Sequence, residues 1–492
     1  MSIEKTTADI MLRGGMVVDG LGAPAYRADV AMSGDRIVAV GDLKAMSADV
    51  VHDVSGYIVA PGFIDVHTHD DLACLTNPDM TPKISQGVTT VIVGNCGISA
   101  VPLTFADGPT EPFNLLGTKD DFRFVRFADY AAALAASTPR VNVGALIGHT
   151  SLRVSVMSEL DRPANTGERQ KMGELLNDAL KSGALGLSSG VFYAPAEAAD
   201  IAELTALASI VAAAGGVYTA HIRNEYDGVA EALEEAFSIA APDRLPLVIS
   251  HHKCAGVRNW GRSAETLGLI DQARATQPVY LDCYPYTAGS TVIREDLADG
   301  EIEVLINWSE PHPEMAGRQL KCIAEDWDCS QGEAAQRLVP GGASYFQIHE
   351  DDMRRIMSHC GCMIGSDGLP NDPLPHPRLW GTFPRVLGRY VRELGLMTLE
   401  QAVHKMTGLS AATFGLHDRG VLAPGMAADL TVFDAQTVAD TATYADPQQT
   451  SAGIRSVFVN GALSWEAGKA VGPRNGRFVK RLRKPAAQPA YA

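Results

Sequence analysis

Eight short apolar runs, separated by stretches rich in alanine, leucine and glutamate, set the strongest limit on how this chain can fold. The runs occupy residues 63–66, 89–94, 141–147, 184–187, 217–220, 247–250, 279–283 and 362–365. Short buried strands that alternate with helical segments are typical of repeated βα units in a parallel sheet. Eight such strands close a barrel, so we expect an α/β fold built on a (β/α)8 TIM-like barrel.

The two ends of the chain have a different texture. Residues 1–61 and 416–480 are rich in valine, isoleucine and glycine between short polar turns, which indicates short strands. We expect them to form one small β domain beside a barrel at 62–415. The gap between the seventh and eighth runs exceeds what a crossover needs, which predicts an inserted subdomain or lid at 287–358. Residues 481–492 are predicted to be a C-terminal tail.

The composition excludes several classes of protein. A formal net charge of -17 over 492 residues disfavours nucleic acid as the main partner, because phosphate binding needs clustered positive charge. No run reaches the roughly 18 apolar residues that span a bilayer, and the first residues lack the pattern of a secretion signal. The 8 scattered cysteines fit a reducing compartment. We therefore expect a cytoplasmic monomer or small homo-oligomer without membrane association.

Histidines gather at the carboxyl ends of the runs, which is the face where barrel enzymes build their sites. His67 and His69 follow the first run and can converge on one point, because alternate residues of a strand point to the same side. His221 follows the fifth run. The adjacent residues His251 and His252 follow the sixth, and strand alternation lets only one of them face the barrel mouth.

These donors suit a metal ion. A catalytic zinc site uses nitrogen and sulfur ligands and keeps one position open for water. His221, His251 and Cys96, which follows the second run, supply such a set. His67 and His69 are available for the same metal or an adjacent one. Bound zinc lowers the pKa of its water and polarises a carbonyl oxygen, so the set predicts hydrolytic chemistry.

Asp367 follows the eighth run, in the sequence Ser366-Asp367-Gly368. An aspartate in this setting often only forms a turn. Beside a metal-bound water, however, its carboxylate can take a proton during attack and deliver it to a leaving amine. The neighbouring ligand candidates favour this catalytic role.

The arrangement resembles the amidohydrolase superfamily, whose hallmarks are His-x-His after strand one, histidines after strands five and six, and aspartate after strand eight. More narrowly, the chain is similar to the N-acyl-D-amino-acid deacylases (D-aminoacylases). The matching segments are residues 94–97, 188–193, 221–225, 250–253, 366–370 and 375–378. The likeness extends over nearly the whole chain, least clearly over the predicted insertion.

The resemblance implies a set of metal ligands. Cys96, His221 and His251 would hold one tight zinc, and His67, His69 and Cys96 would form a second, weaker site. Many binuclear relatives bridge their metals with a carboxylated lysine at the end of strand four, but no lysine occurs in Leu187-Ser188-Ser189-Gly190. In the D-aminoacylase group a cysteine after strand two takes that place. The resemblance also favours His251 over its neighbour.

By the same similarity, five side chains are candidates for substrate binding. Arg378, Tyr284, Ser290 and Lys253 would bind the carboxylate of an N-acyl amino acid, with Tyr193 near the scissile amide. Arginine suits a carboxylate because its planar fork donates two parallel hydrogen bonds.

The resemblance implies zinc-dependent hydrolysis of N-acyl-D-amino acids to a carboxylate and a free D-amino acid, by metal-bound hydroxide with Asp367 as general base and acid. Two alternatives stay open: another amidohydrolase activity on cyclic amides or dipeptides, and a non-catalytic scaffold protein. The D preference rests on resemblance alone. The side-chain preference is also open, because Arg294 could serve an acidic side chain or pair with Glu295 or Asp296.

Overall fold

The computed structural model describes residues 7–481 and contains the barrel expected from the sequence. Within that range eight parallel strands follow one another around the barrel. They are Phe63–Asp65, Val88–Val93, Asn142–Ala145 with Ile147–Gly148, Gly186–Gly190, Val217–His221, Leu247–Ile249, Val279–Cys283 and Cys362–Ile364. The third strand is interrupted at Leu146, so that its first half pairs with the second strand and its second half with the fourth.

The barrel closes between its eighth and first strands. The backbone N–H of Asp367 donates to the carbonyl of His67 at 2.7 Å, and that of His69 donates to the carbonyl of Gly368 at 3.2 Å. Thr68 and Gly368 form a parallel bridge between these hydrogen bonds. The closing seam therefore runs through three of the residues singled out in the sequence.

The fourth strand differs from its predicted bounds, because it covers Gly186–Gly190 instead of residues 184–187. The apolar pattern missed Ser188 and Ser189, which are buried but hydrogen-bonded. Ser188 Oγ donates to the carbonyl of Gly94 at 2.5 Å, and Ser189 Oγ lies 2.7 Å from Tyr218 Oη. Buried hydroxyls with partners are compatible with a barrel interior.

Helices surround the barrel and pack their apolar faces on its strands. Their bounds are Phe127–Ser137, His149–Val156, Thr166–Ser182, Ile201–Ala213, Val229–Ala240, Ser263–Arg274, Glu350–Ser358, Arg378–Arg385, Leu399–Met406 and Gly408–Phe414. A π-helical stretch, Val386–Glu393, continues the helix that begins at Arg378. The longest helix begins at a capping box, in which Asn165 and Glu168 each accept the other's backbone N–H, and it ends at Gly183.

Both ends of the chain join one sheet. Among residues 7–481 it has nine strands: Thr7–Val17, Tyr26–Ser33, Arg36–Gly41, Ser47–Asp53, Ile58–Pro61, Leu430–Phe433, Ile454–Val459, Ala462–Glu466 and Lys469–Ala470. The junction between the two ends is the antiparallel pairing of Ile58–Pro61 with Leu430–Phe433. The boundaries 1–61 with 416–480, and 62–415 for the barrel, stay predictions. Apart from Arg481, the predicted tail lies outside the described residues.

The segment at 287–358 contains a small antiparallel sheet and two helices, followed by the barrel helix Glu350–Ser358. The strands are Gly289–Val292, Val304–Ser309 and Gly341–Tyr345, and the helices are Leu320–Asp326 and Gln331–Leu338. These elements share an apolar cluster of their own. Its division from the barrel as an inserted subdomain remains a prediction. Over the described part of the chain, every helix is too short or too polar to cross a membrane.

A buried ion network lies below the barrel mouth. Lys83 Nζ is 2.8 Å from Asp65 Oδ2, 3.2 Å from Asp70 Oδ2 and 2.8 Å from Ser366 Oγ. Burial lowers the pKa of Lys83, but the two carboxylates outweigh burial and raise it above its usual value. Asp65 and Asp70 flank the first-strand histidines, and Ser366 precedes Asp367. One ammonium therefore fixes both sides of the closing seam.

We predict that Lys83→Met destabilises the protein by about 3–5 kcal/mol, because it leaves two buried carboxylates without their cation. The measurement is urea unfolding followed by circular dichroism. Lys44→Met is the matched control, because Lys44 forms an exposed ion pair with Asp42 and its loss should leave the midpoint unchanged. Equal midpoints for both variants would show that the buried network does not stabilise the fold.

Candidate active site

Cys96 is the centre of a cluster of imidazoles at the barrel mouth. Its Sγ lies 3.1 Å from His67 Nε2 and 3.2 Å from His251 Nε2. His221 Nδ1 lies 3.1 Å from the same nitrogen of His251. The donor atoms of Cys96, His221 and His251 all lie within 4.8 Å of one another. The second, fifth and sixth strands thus deliver one sulfur and two nitrogens to one point.

Cys96 also belongs to a second group of donors. His67, His69, Cys96 and Asp367 offer atoms within 4.8 Å of one another. Asp367 Oδ1 lies 3.1 Å from His69 Nε2 and 3.4 Å from His67 Nε2. All four residues are buried. The two groups therefore share the thiol, which is the geometry that a bridging ligand requires.

The fourth strand makes room for this thiol. A Cβ atom on Gly190, the last residue of that strand, would collide with the carbonyl oxygen of Cys96. The loop that carries Cys96 can therefore lie directly against the end of the fourth strand. This close approach explains physically why a bulky residue does not occupy that strand end.

Three of the site residues adopt left-handed backbone conformations. The φ angles are 52° for Cys96, 35° for His251 and 51° for Asp367. Such angles are uncommon in residues other than glycine, cost roughly 1–3 kcal/mol each and concentrate at functional sites. Each of the three lies just after its strand, where the backbone turns to direct its side chain over the barrel mouth.

Two carboxylates orient the imidazoles through the ring nitrogens that point away from Cys96. Asp282, on the seventh strand, lies 3.2 Å from His67 Nδ1 and accepts the backbone N–H of His251 at 2.9 Å. Glu225 Oε1 lies 3.0 Å from His251 Nδ1. A carboxylate at Nδ1 keeps the proton there and directs the Nε2 lone pair toward a metal. Neither carboxylate was predicted as a site residue, although an aspartate within the apolar run 279–283 was a usable signal.

Neighbouring charges favour the deprotonated, metal-binding forms of Cys96 and Asp367. Burial raises the pKa of the Cys96 thiol, but His67 and His251 outweigh it and hold that pKa well below its usual value. Burial likewise raises the pKa of Asp367, and Arg378 with the imidazoles lowers it well below the usual range. Burial lowers the pKa of His69, but Asp367 and Cys96 raise it to about 9. Thiolate and carboxylate are the forms that bind metals.

The donor set fits a zinc-like divalent ion. One thiolate, several imidazole nitrogens and a carboxylate are the ligands that zinc prefers. Moreover, His251 Nε2 lies 3.2 Å from Cys96 Sγ and 3.1 Å from His221 Nδ1, so that three donor atoms face one another at close range. Ring nitrogens arranged in this way are the expected surroundings of a cation.

Two other histidines at strand ends serve different purposes. His252 points away from the cluster toward Thr266, whose hydroxyl lies 2.9 Å from its Nε2, and burial lowers the pKa of His252 to about 3. His149 lies 2.8 Å from Glu203, which also pairs with Arg153. The structure thus brings His251, and not its neighbour, to the barrel mouth.

Arg378 is the most deeply buried of the substrate-binding candidates, at 1% exposure. Its Nη1 lies 2.8 Å from Asp367 Oδ2, and its Nη2 donates to the carbonyl of Ser290 at 3.0 Å. The guanidinium stands 4.6 Å from the centre of the Tyr284 ring. Because Nη1 is paired with Asp367 and Nη2 with Ser290, Nε is the one guanidinium nitrogen left without a partner. Three of the predicted residues therefore meet beside the general-base candidate.

Lys253 and Tyr193 also lie at the site but have partners. Lys253 Nζ lies 2.5 Å from Glu225 Oε1 and 2.8 Å from His251 Nδ1, so that its ammonium donates to the carboxylate that orients His251. Tyr193 Oη lies 3.2 Å from Thr291 Oγ1, and its ring packs against His221. Both side chains line the cavity above the cluster.

The 287–358 segment forms part of the cavity wall. Ser290, Leu297 and Tyr345 from that segment line the same cavity as the donor cluster. Arg294 stacks 4.4 Å from the centre of the Phe192 ring and donates two hydrogen bonds to Asp296, at 2.7 and 2.9 Å. Of its two acidic neighbours, Asp296 and not Glu295 is the one that pairs with Arg294.

Comparisons with known proteins show which family this chain resembles. The model of an amidohydrolase family matches residues 50–308 and 329–464. The chain is 50% identical to a D-aminoacylase of Alcaligenes xylosoxydans xylosoxydans over 473 residues, which cover 96% of this chain and 98% of the relative. Identity this high over nearly the full length of both chains indicates a common family and not only a shared fold.

Two solved structures are similar throughout. One is the structure of a D-aminoacylase with a binuclear metal centre, for which one-metal activation and second-metal attenuation are described. Its TM-score is 0.94 at 52% identity, and the match covers 96% of this chain and 100% of the other. The second is an N-acyl-D-glutamate deacylase from Bordetella bronchiseptica, complexed with zinc and a phosphonate inhibitor that mimics the tetrahedral intermediate. Its TM-score is 0.93 at 48% identity, with the same coverage.

Fold and site together define a (β/α)8 barrel with a candidate metal centre at the carboxyl ends of its strands. The chain belongs to the amidohydrolase family.

We predict that Asp282→Asn lowers the affinity for a divalent metal by about 10- to 100-fold, because the amide no longer provides a charged acceptor for His67 Nδ1. Competition of the protein with a chelator for Zn2+ measures this. Asp271→Asn is the matched control, because Asp271 pairs with His359 on the outer surface. Metal affinity equal to that of the control would contradict the role of Asp282.

Proposed function

We propose that this protein hydrolyses the amide bond of N-acyl-D-amino acids, giving a carboxylate and a free D-amino acid, with zinc as its cofactor. The observation that carries the proposal is the position of Cys96, shared between two donor groups. A relative that is 50% identical over nearly the whole chain is named a D-aminoacylase, which supports the substrate class. A non-catalytic scaffold is disfavoured because both donor groups and Asp367 are intact.

We assign the tight zinc site to Cys96, His221 and His251, and a second, weaker site to His67, His69 and Cys96. The short distances within each group support this assignment. The similar D-aminoacylase with one-metal activation supports an unequal pair of sites.

Zinc bound at this cluster would polarise the amide carbonyl and lower the pKa of a water molecule. Asp367 is placed to act on that water, with Oδ1 beside His69 and Oδ2 beside Arg378. The carboxylate accepts a proton as the water oxygen bonds to the carbonyl carbon. It then returns the proton to the nitrogen as the C–N bond breaks, so that the amine leaves neutral.

Arg378 is our candidate for binding the substrate carboxylate. Its Nε is a buried donor without a partner, and a substrate carboxylate would offset the cost of leaving that donor unpaired. Tyr284 holds the guanidinium plane, and Ser290 offers a hydroxyl at the cavity wall. Lys253 adds positive charge nearby. We place Tyr193 beside the scissile amide, because its ring packs against His221.

The cavity favours an apolar amino-acid side chain over an acidic one. Leu115, Leu297 and Leu369 form part of its wall. Arg294 stacks on Phe192, which lines the cavity, but its charge is already balanced by two hydrogen bonds to Asp296. An acidic side chain would have to compete with that aspartate.

We also propose a cytoplasmic location and a monomeric or small homo-oligomeric state. All eight cysteines are free thiols, which fits a reducing compartment.

The test compares initial rates on N-acetyl-D-methionine, N-acetyl-D-glutamate and N-acetyl-L-methionine, with zinc quantified in the same sample. We expect the D-methionine substrate to be fastest and the L-enantiomer slowest. A cyclic imide and a dipeptide represent the alternative amidohydrolase activities. Faster turnover of either would overturn the proposed substrate class, and faster turnover of the glutamate substrate would overturn only the apolar preference.

Asp367→Asn tests whether the carboxylate of Asp367 accepts the proton in the reaction. The amide keeps the size of the side chain but cannot accept the proton, so turnover should fall by about 10²- to 10⁴-fold while zinc content is kept. A variant that keeps both zinc and full activity would remove Asp367 from the reaction.

A further inference from the structure

His376 connects Arg378 to a tyrosine far along the chain. The backbone N–H of Arg378 donates to His376 Nδ1 at 3.0 Å, and His376 Nε2 lies 3.0 Å from Tyr444 Oη. The imidazole is 3% exposed. Burial and the nearby guanidinium hold the pKa of His376 well below its usual value, so the ring is neutral. Because Nδ1 accepts a hydrogen bond, the ring proton lies on Nε2. Nε2 therefore donates a hydrogen bond to the phenol oxygen of Tyr444.

Tyr444 does not belong to the barrel. It lies in the excursion at 434–453, which connects the strands Leu430–Phe433 and Ile454–Val459 of the nine-stranded sheet. The Tyr444 ring lies with its centre 4.9 Å from that of Phe346, in the segment that walls the cavity. The sheet built from the chain ends therefore reaches the barrel mouth through this tyrosine.

A second contact anchors the excursion near the same helix. Asp440 lies 2.8 Å from Arg385 Nη1, and Arg385 Nε donates to the carbonyl of Pro285 at 2.8 Å. Arg385 ends the helix that begins at Arg378. The excursion is thus fixed at both ends of this helix, through an ion pair at one end and His376 at the other.

The position of Arg378 matters for two functions at once. Its Nη1 pairs with Asp367, and its Nε is left as a donor for the substrate carboxylate. Arg378 is the first residue of its helix, so its backbone N–H has no partner within the helix. His376 supplies the acceptor that fixes this backbone, and Tyr444 accepts a hydrogen bond from the opposite ring nitrogen, which orients the imidazole.

We propose that His376 and Tyr444 are positioning residues for Arg378, through which the excursion at 434–453 determines how tightly the substrate carboxylate is bound. This inference rests on the proposed function, because it requires Arg378 to bind that carboxylate. Neither residue touches the substrate. Their effect is exerted on KM, through the backbone and side-chain geometry of Arg378.

Tyr444→Phe tests the proposal most directly. The ring remains to pack against Phe346, but the acceptor for His376 Nε2 is lost. We expect KM for N-acetyl-D-methionine to rise about fivefold to tenfold, as the loss of one hydrogen bond implies, with kcat within twofold of wild type. His376→Asn, which keeps an acceptor near Nδ1 and loses Nε2, should give the same result.

Two further measurements separate positioning from general damage. With N-acetyl-D-methioninamide, which lacks the carboxylate, Tyr444→Phe and wild type should have equal kcat/KM. In the double variant Tyr444→Phe with His376→Asn, the rise in KM should be no larger than in either single variant, because both remove the same interaction. Tyr390→Phe is the matched control, because it removes a phenol hydrogen bond to Glu350 away from the site.

The outcomes are distinct. Unchanged KM in Tyr444→Phe and in His376→Asn would overturn the inference, as would an equal loss with the carboxylate-free substrate. If Tyr444→Phe does not fold, His376→Asn with the same two substrates decides the matter. Failure of the wild-type protein to hydrolyse any N-acyl-D-amino acid would instead overturn the proposed function.

Discussion

The hydrogen bond from the backbone of Asp367 to the carbonyl of His67 closes the barrel at the place where its chemistry is assembled. The first strand carries the histidine pair, and the eighth carries the candidate base, so joining the two strands also joins a ligand pair to a proton acceptor. Lys83 supports this seam from below, paired with Asp65 and Asp70. The contacts that close the barrel therefore also bring the candidate metal ligands beside the candidate base.

The barrel mouth beside this seam gathers features that cost free energy in a protein that only needs to fold. Cys96, His251 and Asp367 adopt left-handed conformations, and a thiol, a carboxylate and imidazoles are packed in a buried space. Asp282 and Glu225 offset part of that cost by fixing the tautomers of the imidazoles. Such a concentration of strain, buried charge and displaced pKa values is what functional sites require. The arrangement is directed at a ligand rather than at stability.

Much of this was visible in the sequence, for a physical reason. A strand of a closed barrel is buried on both faces, so apolar runs mark it, and residues just beyond those runs must lie at one mouth. The pattern missed polar residues that are buried with partners, such as Ser188. It could not choose between His251 and His252, because the choice depends on the turn at His251. Asp282, Glu225 and Tyr444 act through long-range contacts, which spacing along the chain does not encode.

The central claim is that Cys96 is a metal ligand shared by two donor groups. X-ray absorption at the zinc edge of the zinc-loaded protein tests it most directly. A sulfur shell at about 2.3 Å, together with nitrogen and oxygen ligands at about 2.0–2.2 Å, is the predicted result, and the sulfur shell should vanish in Cys96→Ser. A shell of nitrogen and oxygen alone in the unaltered protein would contradict the account.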